Sequence, residues 1–116
     1  MKKIDVPIKY ANRLINFGPV VLITSKAYGK DNIVTIAWNT TLSHNPMLVG
    51  IAVSRENYSN CMIKKGKEFV INIPGADLKD KVKYCGSVSG EEIDKFERAG
   101  LTKISASKVK PPLIQE

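Results

Sequence analysis

Val20-Val21-Leu22-Ile23-Thr24 and Ile33-Val34-Thr35-Ile36-Ala37-Trp38 are the two stretches that decide the fold. Both are short, apolar and rich in β-branched residues, which is typical of strands buried in a protein core. Between them lies Tyr28-Gly29-Lys30-Asp31-Asn32, which is dense in residues that favour turns. The pattern therefore predicts an antiparallel β-hairpin.

Strand-like segments recur farther along the chain. After a break at Asn45-Pro46, residues 47–53 form a third predicted strand, and residues 69–73 form a fourth. Residues 101–105 are predicted to form a short strand, and Lys110-Pro111-Pro112 is predicted to be extended because of its prolines.

A short helix is predicted over residues 59–65. Asn57 or Ser59 is expected to cap its start, because both side chains accept hydrogen bonds from the free N–H groups of a first helical turn. Gly66 stands where a helix-terminating glycine belongs.

Two further helices are predicted after the fourth strand. One is expected to begin at Asp77 as its N-cap. The other has Ser89 and Glu92 at the spacing of a capping box and is expected to end at Gly100. Apolar residues fall on one side of each helix: Leu78, Val82 and Cys85 in the first, and Ile93, Phe96 and Ala99 in the second.

Strands dominate the first 73 residues and helices come later, an order that does not alternate as βαβ units do. The predicted fold is one domain over residues 1–116, mainly β with helices, in which a small antiparallel barrel or sheet carries helices on its rim. The run Gly86-Ser87-Val88-Ser89-Gly90 has no serine at its third place, as a hydrolase nucleophile elbow requires, and is interpreted as a loop.

The cysteine and histidine content argues against a metal site. Cys61 and Cys85 form no Cys-x-x-Cys pair, and His44 is the single histidine. The two thiols are expected to be reduced and mostly buried. No apolar run approaches the roughly 20 residues of a membrane-spanning helix, and no apolar stretch of a secretory signal follows the N-terminus. A cytoplasmic location without membrane contact is expected.

The chain carries a net charge of +7. Its lysines are spread in small groups that lack the interleaved aromatic residues of a nucleic-acid-binding surface. We therefore expect a solvated basic surface and no nucleic-acid partner, although the positive field favours an anionic cofactor.

The turn Ser54-Arg55-Glu56-Asn57-Tyr58-Ser59 follows a predicted strand and opens a predicted helix. A helix N-terminus presents free N–H groups and the positive end of a dipole, both of which suit a phosphate. Arg55 adds a bidentate donor, and Asn57 or Ser59 adds a neutral one. From these residues alone, the alternative is a capped helix with a surface arginine.

Asn32 and the segment Trp38-Asn39-Thr40-Thr41 form a second candidate site. Trp38 ends an apolar strand and three hydrogen-bonding residues follow it, a combination that suits a flat ring with a polar edge. The alternative is a core tryptophan followed by a polar loop.

An ordered series of segments extends from about Pro19 to Pro112 and covers nearly the whole chain. It consists of residues 19–25, 32–39, 45–46, 55–59, 68–74, 85–90 and 94–97. No single segment is specific, but the series resembles the flavin reductase-like family, and within it the flavoredoxin branch.

This resemblance implies an FMN-binding split β-barrel that forms a homodimer with the cofactor at or near the interface. It implies that the flavin ring and ribityl chain are lined by Asn32, Trp38, Asn39, Thr40 and Thr41. The phosphate would be held by Ser54, Arg55, Asn57 and Ser59. Lys95 would approach the flavin or its phosphate, and near the N1–C2=O edge of the ring it would stabilise the reduced anion. The alternative for Lys95 is an exposed partner of Glu91, four residues earlier.

The resemblance further implies a redox activity in which NADH or NADPH gives a hydride to the flavin and an acceptor takes the electrons. Because the flavin does the chemistry, no catalytic acid or base is required from the protein. Two alternatives remain open: a non-catalytic flavin electron-transfer carrier, and a truncated binding remnant that has lost the cofactor.

Family members usually continue past the Pro-Pro-Leu region with strands that close the barrel, including a glycine- and histidine-rich stretch that contacts the flavin. Without these strands, unpaired strand edges and exposed apolar faces are expected. A partner subunit would cover them, and this chain would supply part of the flavin pocket.

Overall fold

The computed structural model describes residues 1–15 and 18–116. The strands are β1 (Val21–Ala27), β2 (Lys30–Ile36), β3 (Asn39–His44), β4 (Met47–Ile51), β5 (Phe69–Asn72), β6 (Lys103–Ile104) and β7 (Leu113–Ile114). The helices are α1 (Ile8–Ala11), α2 (Tyr58–Gly66), α3 (Lys79–Ser87) and α4 (Lys95–Ala99), with 3-10 turns at Asn12–Leu14 and Ala76–Leu78.

The predicted β1–β2 hairpin is confirmed. Its strands are antiparallel, with Val21 opposite Ile36 and Ala27 opposite Lys30. The two connecting residues, Tyr28 and Gly29, have φ angles of 52° and 71°, the left-handed values of a type I′ turn that matches the twist of a hairpin. β2 ends at Ile36, so the expectation that Trp38 ends this strand is wrong.

The sheets are small and antiparallel. β1 lies in the middle of a three-stranded sheet with the order β2-β1-β5, while β3 pairs with β4 and β6 pairs with β7. The central position of β1 explains its nearly continuous apolar sequence, because both of its faces are buried.

Two hydrophobic clusters lie on the opposite faces of this sheet. One joins Leu22 and Ile33 to Cys85 of α3 and Phe96 of α4. The other joins Val21, Ile23, Val34 and Ile36 and packs against α2 through Ile63. The period-2 alternation along β1 therefore sends successive side chains to α3 and α4 on one face and to α2 on the other.

The polar stretch after Trp38 forms strand β3, so the alternative of a polar loop is wrong. Asn39 pairs with Ile51 and His44 with Met47, with an irregularity between Thr41 and Ser43. Most side chains of β3 are exposed, so the sequence carries no apolar alternation from which to predict a strand.

Gly66 is the last residue of α2 and not the left-handed residue that closes it. The helix includes Gly66, and Lys67 takes the left-handed conformation with a φ of 60°. The structure gives Gly66 a different role, because a Cβ there would collide with the backbone carbonyl oxygen of Lys26 on β1. Glycine at this position lets the end of α2 approach the sheet closely.

The predicted capping box at Ser89 and Glu92 is wrong. Asp94 is the N-cap of α4, and its Oδ1 accepts hydrogen bonds from Phe96 N at 2.9 Å and Glu97 N at 3.3 Å. The helix expected from Asp77 begins instead as a 3-10 turn, and α3 starts at Lys79.

Other predicted boundaries shift by a few residues. β4 ends before Val53, β5 ends before Ile73, and β6 is shorter than 101–105. Asn57 is the N-cap residue of α2 by position, yet its side chain makes no capping hydrogen bond.

The β3–β4 hairpin carries exposed apolar side chains, as expected. Leu42, Met47, Leu48 and Val49 each expose between 41% and 65% of their surface. Across residues 1–15 and 18–116, no helix has the length and hydropathy needed to span a bilayer.

Candidate functional site

A mainly apolar cavity of about 500 Å³ opens beside Trp38. Trp38, Asn39 and Thr40 form one wall and residues 50–52 form another. A hydrogen bond of 2.9 Å from Ala52 N to Trp38 O joins the two walls. Asn39 Nδ2 donates to Pro19 O at 2.8 Å, which fixes the polar end of the first wall. Asn12 and Ile15 of the N-terminal segment also reach this cavity.

The indole ring of Trp38 is 57% exposed and not part of the core. The alternative of a core tryptophan is therefore wrong. An exposed aromatic face beside apolar walls offers stacking area to a flat ring, and the side chains of Asn39 and Thr40 stand beside it.

A second, polar cavity of about 330 Å³ lies at the outer edge of β2. Val34 and Thr35 form its floor. Residues 56–59 at the start of α2 bound it, as do Lys95 and residues 86–91, which comprise the end of α3 and the loop that follows. It lies at this edge because α2 covers one face of the sheet while α3 and α4 cover the other.

The start of α2 offers hydrogen-bond donors to this cavity. The first N–H groups of an α-helix have no partner within the helix. Asn60 N donates to Asn57 O at 3.0 Å, but the Asn57 side chain caps neither Tyr58 N nor Ser59 N. These two N–H groups remain available to an acceptor, and the helix dipole favours a negative one. Ser59 is buried and is one of the residues that line the same cavity.

Lys95 brings a positive charge to the polar cavity. It is only 5% exposed, and its Nζ donates a 2.7 Å hydrogen bond to the backbone oxygen of Cys85. Burial lowers the pKa of Lys95 below its ordinary 10.5, partly offset by the neighbouring Cys85. Burial likewise raises the pKa of the Cys85 thiol, which Lys95 partly offsets.

No ion pair forms between Lys95 and a carboxylate within the described residues, where the ion pairs found are Lys26–Asp31 and Lys103–Asp31. The alternative of an exposed Lys95 paired with Glu91 is therefore wrong. A buried ammonium with a single carbonyl partner is an incomplete arrangement, because buried charges are normally paired.

The structure brings together some of the predicted site residues and not others. Trp38, Asn39 and Thr40 share the apolar cavity, whereas Asn57, Ser59 and Lys95 share the polar one. Asn32 lies behind Ser59 as its hydrogen-bond partner. The remaining three predicted residues are exposed and line neither cavity: Thr41, Ser54 and Arg55.

Residues 86–90 form a wall of the polar cavity, and the prediction that all of them form a loop is wrong because α3 continues through Ser87. The two glycines of this segment contact β2. A Cβ on Gly86 would lie 3.2 Å from Cβ of Thr35, and a Cβ on Gly90 would collide with Oδ1 of Asn32. Two glycines four residues apart were the available signal, since glycine is needed where backbones approach closely.

Titratable groups elsewhere do not form a metal site. Among residues 1–15 and 18–116, no group of three or more His, Cys, Asp or Glu side chains could hold a metal ion.

The fold and these cavities agree with a known class of protein. The family model described as the flavin reductase like domain matches residues 16–116. The chain belongs to this family.

Individual relatives are similar along most of this chain. An uncharacterized protein of Archaeoglobus fulgidus is 37% identical over 87 residues, which cover 75% of this chain and 49% of that protein. The uncharacterized protein YddH of Escherichia coli is 33% identical over 115 residues, covering 97% of this chain and 61% of its own length.

Solved structures confirm the predicted FMN-binding split-barrel class. The flavoredoxin of Methanosarcina acetivorans has a TM-score of 0.82 at 27% identity, covering 100% of this chain and 60% of its own. The flavoredoxin of Desulfovibrio vulgaris (Miyazaki F) has a TM-score of 0.81 at 27% identity, covering 84% and 54%. An FMN-binding domain of a flavin reductases-like enzyme from Shewanella baltica shares the fold, with a TM-score of 0.80 at 24% identity, covering 95% and 58%. The chain thus spans about half to three-fifths of the length of these relatives.

Proposed function

We propose that the chain binds FMN and acts as a flavin reductase-like oxidoreductase that passes electrons from NADH or NADPH through the bound flavin to an acceptor. The apolar cavity suits the ring, with Trp38 against its face and Asn39 and Thr40 at its polar edge. The polar cavity suits the phosphate, with Asn57, Ser59 and Lys95 around it.

The two cavities are close enough to serve one ligand. Thr35 lines the polar cavity and Trp38 lines the apolar one. Because Trp38 follows Thr35 by three residues, the Cα atoms of these two residues lie at most about 10 Å apart. A ribityl chain with its phosphate ester can cross that distance. Thr41, Ser54 and Arg55 neighbour the lining residues in sequence, and their contacts with FMN stay predictions.

The observation that carries this proposal is the buried Lys95 ammonium without a carboxylate partner among the described residues. An anionic group in the polar cavity would complete its interactions, and both a phosphate and the N1–C2=O edge of a flavin meet that requirement. The buried Asn32 stands behind Ser59 and Gly90, two residues that line the same cavity, and supports its wall.

When bound, the flavin supplies hydride acceptance and electron transfer. The protein's residues bind and orient: Trp38 limits the ring to one plane, the first turn of α2 and Ser59 donate hydrogen bonds, and Lys95 supplies a positive charge in a place sheltered from water.

Reconstitution tests the cofactor. The 116-residue chain mixed with excess FMN should retain flavin absorbance through gel filtration, and Lys95→Met should retain much less. Ser107→Ala, which is exposed, lies outside the β3–β4 hairpin and lines neither cavity, is the matched surface control and should retain FMN as the parent does. Complete loss of FMN from the parent chain during gel filtration would contradict the proposal.

Anaerobic mixing of the FMN-loaded protein with NADH or NADPH tests the oxidoreductase activity. Bleaching of the bound flavin is expected with at least one of them. Retention of the flavin without bleaching would contradict the reductase activity and favour the electron-transfer carrier.

We also propose that the chain functions as a homodimer in the cytoplasm. The exposed apolar side chains of the β3–β4 hairpin support an interface beside the Trp38 cavity. Cys85 is buried as expected, whereas Cys61 is exposed, so the expectation that both thiols are buried is wrong for Cys61. The two cysteines form no disulfide, which supports a reducing compartment. Sedimentation velocity with and without FMN should show a species of twice the chain mass, and a monomer at all concentrations would contradict the dimer.

A further inference from the structure

Asn32 occupies an unusual place beside the polar cavity. It lies on β2 opposite Ser25 of β1 and is only 2% exposed. Its Nδ2 donates a 2.9 Å hydrogen bond to the hydroxyl of Ser59. Its Oδ1 has no hydrogen-bond partner and faces Gly90 at the cavity wall. The Asn32 amide is therefore buried with its Nδ2 hydrogen-bonded and its Oδ1 without a partner. The hydrogen bond to Ser59 is the interaction for which this amide is held in place.

The hydrogen bond from Asn32 decides what the Ser59 hydroxyl can do. A hydroxyl has one proton to donate and two lone pairs to accept with. Asn32 occupies a lone pair of Ser59 Oγ, and the proton of Ser59 has no acceptor within the described residues. Because Ser59 lines the polar cavity, that proton is available to an acceptor in the cavity.

We infer that Asn32 is a positioning residue that acts on the ligand through Ser59, by holding the Ser59 hydroxyl as a donor to a phosphate monoester. This inference rests on the proposed function for the chemical identity of the ligand. It differs from a direct contact between Asn32 and the flavin ring or ribityl chain, because Ser59 stands between Asn32 and the polar cavity.

Gly90 is the second member of this arrangement. A Cβ on Gly90 would collide with Oδ1 of Asn32 and lie 3.0 Å from its Cγ. An alanine at this position would therefore push the amide of Asn32 away from Ser59, without changing either hydrogen-bonding residue. Glycine at residue 90 leaves room for the amide in the orientation that Ser59 needs.

A double-mutant cycle with two flavins tests the inference. Asn32→Ala and Ser59→Ala should each weaken FMN binding roughly ten-fold, as expected for a hydrogen bond to a charged group. Both should leave riboflavin binding nearly unchanged, because riboflavin lacks the phosphate. The double variant should bind FMN no more weakly than Ser59→Ala alone. Additive losses, or equal losses for FMN and riboflavin, would overturn the indirect role.

Gly90→Ala provides a second variant in case the buried Asn32→Ala chain does not fold. It should lower the ratio of FMN affinity to riboflavin affinity by a similar factor, and an unchanged ratio would count against the inference. Ser107→Ala again serves as the matched control, since Ser107 is exposed, lies outside the β3–β4 hairpin and lines neither cavity. Nitrogen-edited NMR adds a structural readout, because the side-chain amide signal of Asn32 should shift in Ser59→Ala.

Titration with inorganic phosphate separates this inference from the proposed function. If the parent chain binds phosphate but not FMN, the proposed function fails, and the inference stands only if Asn32→Ala and Ser59→Ala both weaken phosphate binding. If the parent chain binds FMN, and the ratio of FMN affinity to riboflavin affinity is the same in Asn32→Ala as in the parent, only the inference fails. If the parent chain binds neither probe, both are overturned.

Discussion

Lys95 is the residue on which the electrostatics of the site depends. Its ammonium is removed from water by α3, α4 and the loop between them, and a backbone carbonyl is its single hydrogen-bond partner in the described chain. Its pKa is lowered by burial, so the structure without a ligand favours loss of the proton. An anion in the cavity would raise the pKa of Lys95 again, because an opposite charge nearby favours the protonated form.

FMN affinity should therefore fall as pH rises. A bound anion raises the pKa of Lys95, so binding is strongest below the lowered pKa of the free protein and weakens as pH rises through that pKa. Isothermal titration from pH 7 upward should show the decline. Lys95→Met should weaken FMN binding roughly ten- to hundred-fold at pH 7 and flatten its pH dependence. A parallel decline in parent and variant would point to another titrating group.

The sequence predicted residue types better than it predicted where their side chains lie. Asn57, Ser59 and Lys95 could be predicted, and they line one cavity. Arg55 satisfies the same chemical criteria, but it is exposed and lines neither cavity. In a turn, the direction of a side chain depends on backbone angles that composition does not encode.

At the scale of elements, the ends of α2 illustrate how packing overrides a local signal. A glycine near the end of a helix usually takes the left-handed conformation. Here Lys67 takes it instead, while Gly66 stays helical against β1. Local sequence does not reveal that a carbonyl oxygen from a strand 40 residues earlier occupies the space beside Gly66.

Gly66→Ala should lower the free energy of unfolding by about 1–3 kcal/mol, the usual cost of overpacking. The collision is with backbone of a central strand, which a rotamer change cannot relieve. Urea denaturation followed by circular dichroism measures the loss. Lys64→Ala, an exposed substitution in the same helix, should stay within about 0.5 kcal/mol of the parent. Equal stability of Gly66→Ala and the parent would mean that α2 can shift away from β1.

Lys67→Gly should act in the opposite direction. A non-glycine residue in the left-handed conformation is strained, and Lys67 has a φ of 60° and an exposed side chain. Removing its Cβ relieves that strain, partly offset by the larger entropy of glycine in the unfolded chain. In the same urea experiment, the free energy of unfolding should rise by about 0.5–1 kcal/mol. A lower free energy of unfolding would indicate that the Lys67 side chain has a stabilising contact.

At the scale of the whole molecule, the sequence predicted the buried parts well. β1, β2 and β5 have apolar sequences because two hydrophobic clusters enclose them. β3 could not be predicted, because its side chains are mostly exposed and carry no pattern of burial. Its strand conformation comes from its pairing with β4. The two cavities likewise arise from how distant segments pack, which no single segment reveals.

The β3–β4 hairpin should be the surface through which two copies associate. Leu48→Glu places a charge among its exposed apolar side chains and should shift the dimer towards monomer at least roughly ten-fold in dissociation constant, by sedimentation equilibrium. Lys79→Glu on α3 also introduces an acidic residue, but away from the hairpin, and should leave the association unchanged. An undiminished dimer of Leu48→Glu would locate the interface elsewhere.

The partners of β1 have a consequence for how the chain is made. The hydroxyl of Thr24 donates to the backbone oxygen of Pro112, 88 residues later in the sequence. Asn72, which pairs with Leu22 in the sheet, likewise receives its hydrogen bond from Ile114 N. On a ribosome, translation must therefore pass residue 114 before the first hairpin can complete its polar contacts. A nascent chain paused earlier would hold a hairpin whose central strand still lacks a partner for a buried hydroxyl.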